Sequence, residues 1–115
     1  VKEDPDGRVW LAGGRLFVFD RAKLSEVTRI RGSAAFPLVQ CLAIDPAGKV
    51  WVGGENGLFR IEDEELVPDS RFADLHVQAI FFESDGSTWV GTETGLLFKR
   101  RNDTEWTESS EPMAK

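Results

Sequence analysis

Positive charge, histidine and cysteine are all scarce in this chain. Fourteen Lys and Arg stand against twenty Asp and Glu, a formal charge of -6 at pH 7. That sign repels nucleic-acid backbones and anionic lipid headgroups, which are bound through clustered cations, so no nucleic-acid partner is expected. The one compact basic run, Lys99-Arg100-Arg101, reads as a solvated strand end. A single histidine, His76, gives a His-based triad little to build on. A single cysteine, Cys41, allows no internal disulfide and no zinc set of soft ligands. Flanked by Val39, Leu42 and Ile44, Cys41 reads as a small buried hydrophobe. No apolar run approaches the roughly eighteen residues of a membrane span, and no charged-then-apolar leader stands at Val1.

What is present fits one soluble globular domain at most: 115 residues, 41% hydrophobic and 30% charged. Its dominant feature is repetition. The stretch from Asp45 to Phe59 (DPAGKVWVGGENGLF) recurs in altered form at Asp4 to Phe17 and at Glu83 to Leu97. The tryptophans that mark the copies, Trp10, Trp51 and Trp89, stand 41 and 38 residues apart. The last two copies keep one offset of 38 from Val39/Val77 and Gln40/Gln78 to Gly57/Gly95 and Leu58/Leu96. A period near forty with glycine and aromatic marks points to four-stranded β-propeller blades.

Short apolar runs bounded by Gly, Pro, Asn and Asp place the strands. In each copy an inner strand (Leu38 to Ile44, Val77 to Phe82) leads through an Asp/Gly turn, with Gly48 or Gly86, to a strand that carries the tryptophan. A second turn ending in Gly57 or Gly95 leads to a third strand, Leu58 to Ile61 or Leu96 to Lys99, and Leu16 to Phe19 in the first copy. The fourth strand is the least regular and is expected at Val27 to Arg31, Glu65 to Pro68 and Glu105 to Glu108. The expected architecture is all-β, with blades of four antiparallel strands at about 1–32, 37–70 and 75–110. Consecutive apolar residues in Ile80-Phe81-Phe82 and Leu16-Phe17-Val18-Phe19 fit strands buried on both faces.

Val1-Lys2-Glu3 aligns with Leu42-Ala43-Ile44, halfway along an inner strand. Three blades are too few to close a ring and would leave two apolar blade faces open. The expected partners are therefore missing propeller blades, with homo-oligomer partners as the alternative, and the start inside a strand favours a piece of a longer propeller. Two copies of three blades would make six.

The pattern Asp-x-x-Gly-x-x-Trp-[Val/Leu]-Gly-[Gly/Thr]-x-x-Gly-Leu resembles the two-component regulator propeller repeat. Asp45, Gly48, Trp51, Val52, Gly53, Gly54, Gly57 and Leu58 carry it in the second copy; Asp85, Gly86, Trp89, Val90, Gly91, Thr92, Gly95 and Leu96 carry it in the third. There Glu83 takes the aspartate position, and Ala12 replaces the first glycine in the first copy. The resemblance implies part of an extracytoplasmic sensor region of a bacterial signalling protein, such as a hybrid histidine kinase or a diguanylate cyclase. It implies a periplasmic setting, membrane attachment only through a span outside this chain, and in several relatives a carbohydrate ligand.

Because Trp10, Trp51 and Trp89 recur in register, they read as packing between blades rather than sugar platforms. Trp106 lies outside that register. Asp4, Asp45 and Asp85 read as turn formers, since each turn offers too few oxygens for calcium. Ser84 to Trp89 lacks the residue between Asp and Gly that an Asp box requires, and the Trp-Val pairs lack the Asp of a WD40 blade. No catalytic residue, cofactor or metal ligand is expected, and Glu62-Asp63-Glu64-Glu65 reads as a solvated loop. The binding candidates are nonrepeated polar residues on one propeller face: Arg15, Glu55, Asn56, Glu93 and Thr94 between the second and third strands, with Gln40, His76 and Gln78 near the start of the inner strands. Because Gln40 and Gln78 recur, a structural bond near the axis is as much expected of them as ligand contact. The leading functional expectation is a noncatalytic sensor of a small polar ligand or glycan. A structural or protein-interaction propeller is the competitor, and a hydrolytic propeller ranks third.

Overall fold

A computed structural model describes residues 1–31 and 37–109. It contains three four-stranded antiparallel sheets, each built from consecutive strands. The first comprises β1 (Lys2–Glu3), β2 (Val9–Gly13), β3 (Arg15–Asp20) and β4 (Lys23–Val27). The second comprises β5 (Val39–Ile44), β6 (Val50–Gly54), β7 (Gly57–Glu62) and β8 (Glu65–Pro68). The third comprises β9 (Val77–Phe82), β10 (Thr88–Thr92), β11 (Gly95–Lys99) and β12 (Thr107–Ser109). The protein is all-β and forms a partial propeller of about three blades.

The Asp/Gly turn between the first two strands of each sheet has the same hydrogen bonds in all three copies. Asp4, Asp45 and Glu83 each donate their backbone N–H to the carbonyl four residues on and accept from the glycine at +3. Those glycines, Gly7, Gly48 and Gly86, have φ of 84°, 89° and 95°, the left-handed region where a side chain is strained. β1 is a two-residue piece of inner strand, with Glu3 opposite Val9 just as Ile44 is opposite Val50.

The fourth strand of the first sheet is Lys23–Val27, not the Val27 to Arg31 expected from sequence. It follows β3 directly through Arg21 and Ala22, both at positive φ (52° and 67°). Two consecutive left-handed residues make the tight primed turn whose twist suits a hairpin, and neither residue is the Gly or Asn that usually marks one. The Arg29-Ile30-Arg31 segment does pair, but with the next sheet. Ile30 forms a parallel bridge to Leu66 of β8, with Leu66 N–H donating to Arg29 and Arg31 N–H donating to Leu66. Arg31 Nε adds a 2.9 Å ion pair to Glu65. The edge of the second sheet is thus covered by the connector from the first, which blunts it against foreign strands. In the third sheet the fourth strand is Thr107–Ser109, two residues later than expected at its start. Of the loop Gly32 to Pro37, expected to lead into the second blade, residues 32–36 lie outside the described residues.

Between the second and third sheets the connector forms a 3₁₀ turn, Ser70–Phe72, capped by Asp69, whose carboxylate accepts from Arg71 N–H. It buries Phe72, against which Trp106 packs edge-on with ring centres 5.0 Å apart. Arg71 reaches on to the Thr104 carbonyl of the third sheet's outer loop at 3.2 Å.

The core lies between the sheets. Trp10, Leu16, Val18 and Val27 of the first pack with Leu42, Val50, Val52 and Phe59 of the second. Leu58 and Trp51 of the second pack with Val77, Ile80, Val90 and Leu97 of the third. The first and second sheets therefore each offer a front face, with the tryptophan, to the rear face of the sheet after it.

Candidate functional site

Three acids accept hydrogen bonds from the three repeated tryptophans. The indole N–H of Trp10 donates to Asp4 Oδ2 at 2.9 Å, that of Trp51 to Asp45 Oδ2 at 2.9 Å, and that of Trp89 to Glu83 Oε1 at 2.6 Å. A buried indole N–H needs such a partner. In the first two copies the other carboxylate oxygen accepts from the backbone N–H groups two and four residues on. In the third the work is divided: Glu83 holds the indole, while Asp85 accepts from Ser87 N–H, a bond that leads in holding the Asp85 carboxyl below its ordinary range. Arg8 also binds Asp4 at 2.9 Å. Burial raises the Asp4 pKa, but the bonds from Trp10 and Arg8 outweigh it and leave the group below 3.8. Sequence reading did not find this bond, although the spacing of six residues from acid to tryptophan, repeated three times, is a signal that could have found it.

The acids therefore serve the scaffold, and the polar candidates gather at the opposite end of the sheets. There the turns between second and third strands meet the starts of the inner strands. Val39 pairs with Gly54, and Gly54 with Gly57; Val77 pairs with Thr92, and Thr92 with Gly95. Gln40 and Gln78 sit at the same irregularity, the extra residue of a bulge between Val39 and Cys41 and between Val77 and Ala79. A bulge takes a residue out of the ladder and re-aims its side chain, and both glutamines are exposed.

Gln40 reaches across the gap between sheets to hydrogen-bond His76 Nε2. Glu93, from the turn beside it, accepts from His76 N–H at 3.4 Å and donates its own N–H to the His76 carbonyl at 3.2 Å. Gln40, His76 and Glu93 are thus one polar cluster built from two sheets, with Gln40 and Glu93 exposed and His76 half-buried. Gln78 lies on the same strand end but makes no side-chain hydrogen bond among the described residues. Glu55 donates its backbone N–H to the Leu38 carbonyl at 3.3 Å, the counterpart of the Glu93–His76 bond, and its side chain is exposed.

The other candidates are dispersed. Arg15 lies 3.9 Å from Glu26 at the outer side of the first sheet. Asn56 lines a hollow of about 340 Å³ at the rim, with Leu58, Pro68 and Asp74. Thr94 donates its N–H to Thr92 Oγ1 and closes its own turn. The repeat glycines are scaffold: a Cβ on Gly57 would meet the Phe72 carbonyl at 2.9 Å and one on Gly48 would meet Pro5 at 2.8 Å. Cys41 is half-buried with its Sγ 3.9 Å from the Val77 carbonyl, and burial pushes the thiol up, partly offset by the Gly53 amide. A raised thiol is a poor nucleophile. Among the described residues no group of three His, Cys, Asp or Glu side chains is arranged to hold a metal ion, and no helix is long and apolar enough to cross a membrane.

No family model matches the chain, and no curated protein is significantly similar to it. Among solved structures it is similar to selenomethionine-substituted virginiamycin B lyase from Staphylococcus aureus, a β-propeller protein, with a TM-score of 0.64 at 16% identity. The match covers 98% of this chain and 41% of that one, so the chain spans well under half of the neighbour's length. A likeness at this identity concerns the fold alone.

Proposed function

We propose that the chain is a noncatalytic, ligand-binding part of a propeller sensor, of the kind its resemblance to two-component regulator repeats implies, with an extracytoplasmic placement and an output domain elsewhere. One observation carries the ligand site: Gln40, re-aimed by a bulge, meets His76 of the neighbouring sheet at an exposed end, with Glu93 alongside. An amide, an imidazole and a carboxylate together offer donors and acceptors to a hydroxyl-rich ligand such as a glycan. A site that spans two sheets also couples binding to the junction between them, the property a sensor needs. Gln78 and Glu55 extend the same polar end.

The test is calorimetry and histidine NMR with a panel of neutral oligosaccharides. Binding should perturb His76, and Gln40→Ala or Glu93→Ala should weaken it about tenfold, the cost of roughly 1.4 kcal/mol of hydrogen bonding. A panel that leaves His76 unperturbed, or affinity in both variants unchanged from the wild type, sinks the site. The complete gene tests the signalling context: absence of both a membrane span and a kinase or cyclase sinks that part.

An interaction propeller is the second reading, favoured by large apolar side chains in the open: Phe81, Leu24 and Phe19 are 62%, 59% and 43% exposed. Its partners would be further blades or a second copy.

A further inference from the structure

We propose that Asn56 is a site of self-modification: the Gly57 backbone nitrogen attacks its side-chain amide, ammonia leaves, and the isoaspartyl product loosens the junction of the second and third sheets.

The chain holds two asparagines, Asn56 and Asn102. Asparagine is among the thermally labile side chains, and the residue after it governs how readily it reacts. Asn102 precedes Asp103, whose side chain crowds the attacking nitrogen, whereas Asn56 precedes Gly57, which has no Cβ to hinder approach. β6 ends at Gly54 and β7 begins at Gly57, so Glu55 and Asn56 alone form the turn, and both are exposed. Such a hairpin tip meets water and opens locally more readily than the sheet it caps.

The corresponding turn of the third sheet has Thr94 before Gly95, and Thr94 N–H closes it on Thr92 Oγ1 at 3.2 Å. The fold therefore does not need asparagine at this place. It does need the glycine: Gly57 has a φ of 135°, and a Cβ there would meet the Phe72 carbonyl at 2.9 Å. Packing thus holds in place the residue that makes Asn56 reactive.

In the reaction the Gly57 nitrogen gives its proton to solvent base and bonds to Asn56 Cγ. The Cγ–Nδ2 bond breaks, Nδ2 takes a proton from water and leaves as ammonia, and a succinimide ring remains. Water then opens the ring. Addition at Cγ gives aspartate on a normal backbone; addition at the main-chain carbonyl gives isoaspartate, whose chain runs on through Cβ and Cγ with one extra carbon. The net change is amide plus water to carboxylate plus ammonium.

That extra carbon would enter just ahead of a closely held segment. Gly57 pairs with Gly54, and Leu58, 1% exposed, packs with Phe72 and Val77 while its carbonyl accepts from Asp69 N–H at 2.9 Å. A two-residue turn has no slack to absorb it, so the start of β7 must shift against the connector. Either product also sets a new carboxylate at the hollow that Asp69 and Asp74 line, where like charges oppose one another. Asp6-Gly7 and Asp85-Gly86 can form the same ring, but they start from a carboxylate and their rearrangement leaves the mass unchanged.

The experiment is incubation of the 115-residue chain in mildly alkaline buffer at body temperature. Peptide mapping by mass spectrometry, isoaspartyl-specific enzymatic methylation and thermal unfolding follow the sample over time. The Asn56 peptide should gain the mass of amide-to-acid conversion at least about tenfold faster than the Asn102 peptide, because only Asn56 is followed by a residue without a side chain. It should also become methylated, and the aged chain should melt at a lower temperature than the fresh one. Asn56→Gln alters an exposed turn residue, so it should fold by circular dichroism, keep its mass at that peptide and hold its melting temperature. Asn56 left intact in the native chain while the urea-unfolded chain converts overturns the site, as do equal rates at the two asparagines. Conversion at Asn56 with an unchanged melting temperature overturns the loosening of the junction.

Discussion

Asp4 concentrates more structure in one carboxylate than any other side chain here. It accepts from two backbone amides, from Arg8 and from the indole of Trp10, and its side chain is 1% exposed. Asp4→Asn should lower stability at pH 7 by about 2 kcal/mol, the range for hydrogen bonds to a charged group, measured by urea unfolding. The sign of its pH dependence follows from a folded pKa held below the ordinary 3.8. The stabilisation is complete above the unfolded pKa and is lost as pH falls through the folded one. The wild type should therefore lose stability progressively below about pH 4, and Asp4→Asn should flatten that decline; an unchanged acid limb in the variant would dismiss the role. Chain positions alone disclosed the acid, the turn glycine and the tryptophan as a unit. They did not disclose that acid and indole are bonded, because turn formation accounted for the acid and packing for the ring. Sequence also grouped eight polar residues by loop, whereas side-chain direction decides: Gln40, His76 and Glu93 converge, Arg15 and Thr94 bond within their own sheets, and Asn56 lines the hollow at the rim.

Elements were legible where glycine or a β-branched run marks them, as with β5, β6, β7, β9, β10 and β11. β4 was displaced because Arg21 and Ala22 form a tight turn without the residues that usually announce one, and because Arg29 to Arg31 is a real pairing segment serving the wrong sheet from the viewpoint of a local reading. The first glycine of the Gly-[Gly/Thr] pair in β6 and β10, alanine in β2, shows how packing sets a local requirement. A Cβ on Gly53 would lie 2.5 Å from Val77 Cγ1 and 2.6 Å from Cys41 Sγ, whereas one on Gly91 meets only Ala79 at 3.7 Å. Gly53→Ala should cost about 1–3 kcal/mol by overpacking the junction of the second and third sheets. Gly91→Ala should be neutral or stabilise by up to about 0.5 kcal/mol through the unfolded state. Thermal unfolding of the two variants side by side measures the difference, and equal shifts would mean that the junction does not set the glycine.

At the scale of the molecule, the three-fold repetition made the architecture readable before any single strand was certain, since a period near forty can be satisfied by few folds. Ligand chemistry was less readable, because the exposed cluster is made from residues 36 and 17 positions apart whose meeting depends on how one sheet lies on the next. Stability in such an array is a sum of sheet terms and neighbour terms, and the connector bridge between Ile30 and Leu66 gives the neighbour term a direction. The Leu66 amide is closed by a carbonyl that belongs to the segment leaving the first sheet. Its hydrogen exchange should therefore track opening of the first sheet, and Ile30→Pro, which removes that residue's own N–H and restricts its φ, should speed exchange at Leu66 at least tenfold while leaving Val90 unchanged. Exchange at Leu66 that ignores the substitution would refute the coupling. The outer edge of the second sheet is thus guarded by the chain that precedes it, so loss of structure in the first sheet travels forward along the sequence, and the first sheet acts as a latch on the melting of the second.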